Sequence, residues 1–318
     1  MRFAQLLSTG TVKPHDTCRP LQDAVTCTQA AERLGWDEVW TTEHQFNPYV
    51  TNPCALTLAS YLLGQTERVT IGTGVVVLPN THPVRLASQA AVLQALSGGR
   101  LRLGLGRGSQ TLETRLFSDL EQWQNGFPQA VADVKRLLDT GQVDEGVPLV
   151  PAPAPTPMVV AATSEASVVA AAAAGVPFLI AFPFPDAVKS KLLDTYATTA
   201  ERQGHTEPAE HWLSIVVHVA DSHEQGRRDL LEHYIPWNRQ ATAAAQYLEP
   251  RKPSSPQQEE QLVDLQAFGR PADIAARLHE LMQLSKTQNL LIVADTTLDA
   301  ERTQENMARI MQEVRPLL

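Results

Sequence analysis

The sequence predicts an α/β fold: a single (β/α)8 barrel with an insertion or lid segment before its last βα unit. Eight short runs rich in β-branched or other apolar residues alternate with longer amphipathic or Ala-rich segments, the pattern of repeated βα units around a parallel sheet. No shift in composition divides the 318 residues, so the chain reads as one domain, 1–318, in which 238–263 is a mobile excursion. An open doubly wound sheet is the competing architecture.

Residues 3–7 open the series, and 38–42 follow after a helix of about five turns that carries Ala24, Ala31 and Leu34 on one side and stops at Gly35. Next come 69–78, nearly continuous in Val and Ile, and 101–105, separated by a helix that starts at Pro83 and runs down to Gly98-Gly99. The remaining strands are expected at 158–162, 178–182, 212–220 and 290–294. The Pro-rich stretch 148–157 reads either as a linker or as a tight passage from a long fourth helix into the fifth strand. Residues 238–263 have an Ala-rich start, a polar RKPSSPQQEEQ centre and no strand pattern, which suits a lid at a barrel mouth.

Composition narrows the function. Apolar residues at 43% and charged residues at 19% provide a globular core. A formal net charge of −9 is poorly suited to tracking a phosphate backbone, which argues against nucleic acid as a main partner. The three cysteines, Cys18, Cys27 and Cys54, are too few for a disulfide framework or a zinc cluster, and a reducing cytoplasm fits them. With no secretory leader and no apolar stretch of bilayer length, a soluble cytoplasmic protein without membrane contact is expected. The nine histidines are scattered without a His-Glu-x-x-His pattern, so no metal site is expected. Nucleophile-elbow and phosphate-loop motifs are also missing, which leaves a redox cofactor as the surviving class.

Three segments carry candidate chemistry. The second strand runs into Thr41-Thr42-Glu43-His44-Gln45-Phe46, placing a carboxylate and an imidazole at the C-terminal end of a barrel strand, although the same pair also suits a polar strand cap. In LRLGLGRGSQ, a strand leads into alternate glycines flanking Arg107, an arrangement for an anion or for a tight turn with an exposed arginine; it is not a dinucleotide fingerprint. Ala161-Ala162-Thr163-Ser164 ends the fifth strand with hydroxyls that can bind a ligand or cap a helix. At the third junction Thr81 is the expected cap, and His82 reads as structural.

In order and spacing, ERLGWDEVWTTEHQF, TERVTIGTGVVVLPNTHPVRLASQAAVLQALSGGRLRLGLGRGS and VVAATSEASVVAAAAAGVP resemble the bacterial luciferase-like flavin-dependent monooxygenase family, with weaker similarity near Phe268. The resemblance implies a TIM barrel binding FMN at the C-terminal strand ends, as reduced FMN delivered by a separate flavin reductase. It also implies O2 and a small organic cosubstrate, a flavin C4a-hydroperoxide and a homodimer. His44 matches the histidine that supports catalysis, Glu43 stands beside it in the active-site wall, and Arg107 matches the flavin-phosphate arginine. Gly74 and Val75 fall where the family often has a non-proline cis peptide beneath the flavin ring. Gly106, Thr163 and Ser164 complete the cofactor set. Gln45 stands in place of the second histidine common in light-emitting members, which counts against light emission, and Ala162-Thr163 lacks their Glu-Ser pair. F420 on the same barrel, or flavin binding without catalysis, are the alternatives. Phe46, Trp40 and Phe182 suit a hydrophobic or aromatic substrate, or a core.

Overall fold

The computed structural model describes residues 1–108, 111–117, 125–180, 184–245 and 254–318. Eight parallel strands form a closed ring: β1 (Arg2–Leu7), β2 (Glu38–Thr41), β3 (Thr70–Thr73), β4 (Leu101–Gly106), β5 (Met158–Ala162), β6 (Phe178–Ile180), β7 (Trp212–Val219) and β8 (Asn289–Val293). The ring closes because β1 pairs with both β2 and β8, and β7 with both β6 and β8. Closure removes both sheet edges, which an open doubly wound sheet would leave.

All eight expected strands are present, with one instructive difference. The long run 69–78 is not continuous: β3 stops at Thr73, the Gly74–Val75 peptide is cis, and Val76–Val77 then pairs separately with the end of β4. Composition alone does not reveal such a break, because Val and Ile suit both the strand and the segment beyond it. Among the described residues further pairings lie outside the ring: Ala267–Gly269 beside the end of β7, a hairpin of Gln142–Asp144 with Val147–Pro148, and an isolated bridge between Gly10 and Val50. The hairpin precedes the Pro-rich stretch and shares only Pro148 with it; together they connect the helix Phe127–Thr140 to β5. Gly35, with φ of 80°, terminates the helix Arg19–Leu34 as expected. At the third junction His82, not Thr81, caps the helix Pro83–Ser97: its Nδ1 accepts the Val84 N–H at 3.2 Å, while Thr81 closes the short turn before it.

Strand residues alternate between two cores. Phe3, Leu7, Ile71, Leu103 and Ile292 face the surrounding helices, whereas Leu6, Trp40, Val159, Trp212, Val216 and Val293 fill the barrel. At the barrel floor the buried charges are paired. Arg102 grips Glu38 through Nε to Oε2 at 2.7 Å and Nη2 to Oε1 at 2.8 Å, the Trp40 indole N–H donates to the same carboxylate at 2.7 Å, and the guanidinium lies 5.2 Å from the Trp212 ring. Trp40 lies so close to Gly72 that a Cβ there would stand 2.5 Å from its ring. Trp40 is therefore core, which withdraws it from the candidate substrate contacts.

The insertion between β7 and β8 is largely helical. Ile235–Ala244 and Pro256–Asp264 carry most of 238–263, and residues 246–253 lie outside the described residues. The two helices are joined by Arg239, which donates to both Glu259 carboxylate oxygens at 2.7 Å. The first helix is sewn to the β2 loop: Trp237 Nε1 donates to Tyr49 O and Asn47 Nδ2 to Ala241 O, each at 2.9 Å. The insertion is thereby tied to the loop that follows β2.

Candidate active site

The C-terminal ends of the strands bring the described candidate residues of the motifs to one end of the barrel. Glu43 and His44 follow β2, Gly74 and Val75 follow β3, Gly106 and Arg107 lie at the end of β4, and Thr163 and Ser164 follow β5. Phe46 lies on the same rim, 42% exposed and stacked on Phe117 with ring centroids 5.9 Å apart. Phe182 lies outside the described residues, as do Ser109 and Gln110 of the glycine-arginine motif.

Glu43 is a brace. Its Oε2 accepts the Ala55 N–H at 2.9 Å, at the start of the helix Ala55–Gly64, and its Oε1 accepts the Val77 N–H at 3.1 Å, just past the cis peptide. One carboxylate thus fixes two loops of the mouth. Burial pushes its pKa up to about 7 against the pull of those two N–H donors, and the Glu113 carboxylate adds to the rise. Beside it, burial holds the His44 imidazole down to about 4, so the ring is neutral at physiological pH. The His44 backbone N–H is tied to Asn52 O at 2.8 Å. Among the described residues the ring makes no side-chain hydrogen bond, which leaves it available to a ligand.

Gly74 and Gly106, between these residues and Arg107 in sequence, are both packed against side chains: the Cβ position of Gly74 faces Leu6 and Trp40, and that of Gly106 faces Val75. A Cβ on Gly106 would lie 2.4 Å from Val75 Cγ2, so only glycine lets β4 lie against the Gly74–Val75 segment. On the far side, Ser164 caps the helix Glu165–Ala173, its Oγ accepting the Ser167 N–H, while Thr163 is exposed. The helix N-terminus, the two hydroxyls and Arg107, all at the ends of β4 and β5, are of the types that suit a dianionic phosphate. In their chemistry they fit the phosphate of a flavin mononucleotide.

The mouth also contains groups that the motifs did not indicate. Glu113, 3% exposed on the helix Thr111–Phe117, accepts the Gln45 N–H at 2.9 Å and so links the β4 and β2 loops; burial raises its pKa. Asp295, just beyond β8, accepts the Ser8 N–H at 2.9 Å and the Ser8 hydroxyl through Oδ2. His218 on β7 bonds to Thr296 Oγ1 at 2.9 Å and to Asp229 Oδ2 at 3.2 Å. Asp295 carried a usable signal, a strand running straight into a carboxylate as at Glu43. Glu113 carried none, since its place depends on how the β4 loop folds back.

The sequence model of the luciferase-like monooxygenase family matches residues 1–288. The chain belongs to the luciferase-like monooxygenase family. It is similar to the alkanal monooxygenase alpha chain of Photorhabdus laumondii, 27% identical over 257 residues that cover 74% of this chain and 70% of that one. It is also similar to the oxygenase component of the flavin-dependent trigonelline monooxygenase of Acinetobacter baylyi, 33% identical over 128 residues, 40% of this chain and 36% of the relative. Among solved structures, the monooxygenase RslO1 of Streptomyces bottropensis superposes with a TM-score of 0.86 over 99% of both chains at 23% identity. The oxygenating constituent of 3,6-diketocamphane monooxygenase of Pseudomonas putida, solved with FMN, superposes with a TM-score of 0.78 over 99% of this chain and 98% of that one at 18% identity. This luciferase-like monooxygenase is accordingly an oxidoreductase on a TIM barrel. Among its described residues no helix is long and apolar enough to cross a membrane.

Proposed function

We propose that this protein binds reduced FMN as a cosubstrate supplied by a separate reductase and uses it with O2 to oxygenate a small, hydrophobic organic molecule. The observation that carries the reading is what stands at the C-terminal strand ends: Arg107, Thr163 and Ser164 after β4 and β5, the Gly74–Val75 segment packed against Gly106, and a neutral imidazole beside the half-buried Glu43 carboxyl at the end of β2. Bound flavin would supply the electrons that activate O2. Arg107, Thr163 and Ser164 hold the phosphate, and Gly74, Val75 and Gly106 support the ring. His44, neutral and without a side-chain partner among the described residues, donates or accepts a hydrogen bond at the reacting oxygen. Glu43 fixes the backbone at Ala55 and Val77, and the helix Ile235–Ala244, whose Trp237 packs beside Gly10 and Leu298, keeps water from the β1–β8 side of the mouth.

An F420-dependent hydride transfer is the second reading, supported by the barrel of an F420-dependent secondary alcohol dehydrogenase, which superposes with a TM-score of 0.72 at 15% identity. Anaerobic titration with reduced FMN and with reduced F420, followed by oxygen-uptake measurements over a panel of apolar substrates, separates the two. FMN binding with substrate-dependent oxygen uptake supports the monooxygenase, and F420 binding with oxygen-independent turnover replaces it. A His44→Ala variant that keeps full turnover removes the role assigned to that residue. For assembly we read a homodimer through the neighbouring helices Ala55–Gly64 and Pro83–Ser97, which expose Tyr61, Val92 and Leu96. Light scattering on the purified protein and on a Tyr61→Glu/Leu96→Glu variant tests it.

A further inference from the structure

The end of the barrel opposite the candidate active site holds a cavity of about 390 Å³ that the proposed chemistry does not use. It lies at the N-terminal ends of four neighbouring strands: Arg2 comes from β1, Trp36 from the segment before β2, Arg68 from the segment before β3 and Arg102 from β4. Gly35 leaves one side open, because nothing stands within 4 Å of the place a Cβ would take there. A space of this size suits an organic molecule rather than a single ion.

The hydrogen bonds around this cavity leave guanidinium nitrogens over. Arg102, 8% exposed, gives its Nε and Nη2 to Glu38. Its Nη1 makes no hydrogen bond among the described residues, yet it is not one of the sealed polar atoms, so it opens on the cavity that the residue lines. Arg2 repeats the pattern: Nε donates to Asn289 Oδ1 at 3.1 Å and Nη2 pairs with Glu210, which leaves Nη1. Both guanidinium groups lie over the same Trp212 ring, 5.5 Å and 5.2 Å from its centroid. Arg68 is exposed at the rim, and among the described residues its side chain makes no hydrogen bond or ion pair. The carboxylates of the lining are engaged. Glu38 is held by Arg102, Asp37 Oδ2 accepts the Phe3 N–H at 2.8 Å and pairs with Arg315 at 3.2 Å, and Glu32 Oε1 accepts the N–H groups of Glu67, Arg68 and Val69 at 2.9, 2.7 and 3.0 Å. Against burial, those N–H groups and the Arg68 charge hold the Glu32 carboxyl below its ordinary range.

We propose that this cavity is a second ligand site, which takes a small organic dicarboxylate: one carboxylate meets Nη1 of Arg2 and of Arg102, and the other reaches Arg68 at the rim. Guanidinium N–H groups match carboxylate oxygens in plane and in number, and the Arg102–Glu38 pair stays intact because the ligand uses the nitrogen that Glu38 does not. A cation would meet three guanidinium groups, and a neutral molecule would forgo the strength of charged hydrogen bonds. The site lies at the other end of the barrel from Arg107, Thr163 and Ser164 and does not depend on the flavin reading.

Calorimetric titration with succinate and with succinamide, its neutral counterpart of the same length, tests the site. Wild type is expected to bind succinate roughly 10- to 100-fold more tightly than the diamide, the span of charge-assisted hydrogen bonds. That preference should be unchanged in protein saturated with FMN and in Arg107→Ala, which removes an anion donor from the mouth. The double variant Arg2→Gln/Arg68→Gln should bring the ratio close to one, and Arg68→Gln, which breaks no hydrogen bond of the fold, should already lower it. Equal affinities for the two probes, or no binding of succinate, overturn the proposal. So does succinate that FMN displaces or that Arg107→Ala no longer binds, since the anion then sits in the mouth, and so does a preference that survives the double variant. Should FMN fail to bind while succinate binding still depends on Arg68, the flavin reading falls and this site stands.

Discussion

Replacing Glu43 with Gln turns the braced carboxyl into a measurable pH response. In the folded chain burial lifts the Glu43 pKa from 4.5 to about 7. Between those values the native state binds more proton than the unfolded chain, so the contribution of Glu43 to stability is fully present below about 4.5 and is lost as pH rises through about 7. At 1.36 kcal/mol for each pKa unit the loss is about 3 kcal/mol, an upper figure because Glu43 keeps partial contact with solvent. His44 acts in the opposite sense. Its folded value of about 4 lies below the ordinary 6.5, so its contribution is lost as pH falls from 6.5 toward 4 and partly cancels that of Glu43 in wild type. The informative quantity is therefore the difference in urea unfolding free energy, wild type minus Glu43→Gln, measured from pH 4.5 to 7.5. That difference should fall by about 3 kcal/mol across the range, and His44→Ala should show a trend of the opposite sign. A constant difference would refute the reasoning: it would mean that the Ala55 and Val77 N–H groups outweigh burial and keep Glu43 ionised throughout.

Three more results are expected. Arg107→Ala should weaken FMN binding roughly 10- to 100-fold in a fluorescence titration, the value of charged hydrogen bonds to phosphate, with Arg107→Lys intermediate. Glu38→Leu leaves the Arg102 guanidinium buried without its carboxylate and should cost about 3–5 kcal/mol in denaturant unfolding, most of it recovered in the double variant Glu38→Leu/Arg102→Met. Gly106→Ala forces a Cβ to 2.4 Å from Val75 Cγ2; the shift of Val75 should cost about 1–3 kcal/mol of stability and loosen FMN binding without changing the dissociation constant of free phosphate.

The sequence by itself determined the eight strands, their order, the barrel and the end of it at which the candidate residues stand, because each of these depends on local patterning: apolar runs of strand length, helix stops such as Gly35, and polar residues placed where a strand gives way to a loop. The placement of Glu43, His44, Arg107 and Thr163 at strand ends was legible for the same reason. What a residue does there depended on partners far away in the chain. Glu43 is a brace only because Ala55 and Val77 present their N–H groups to it, and Trp40 is core only because Gly72 and Trp212 lie against it. The break in the 69–78 run arises where Val76–Val77 leaves β3 and takes up β4, a pairing no local pattern encodes. Glu113 and Asp295 enter the mouth through contacts with Gln45 and Ser8, 68 and 287 residues away in sequence. Periodicity fixes which elements form and which face they bury, whereas ring closure brings distant side chains together and sets their protonation by how much water it removes.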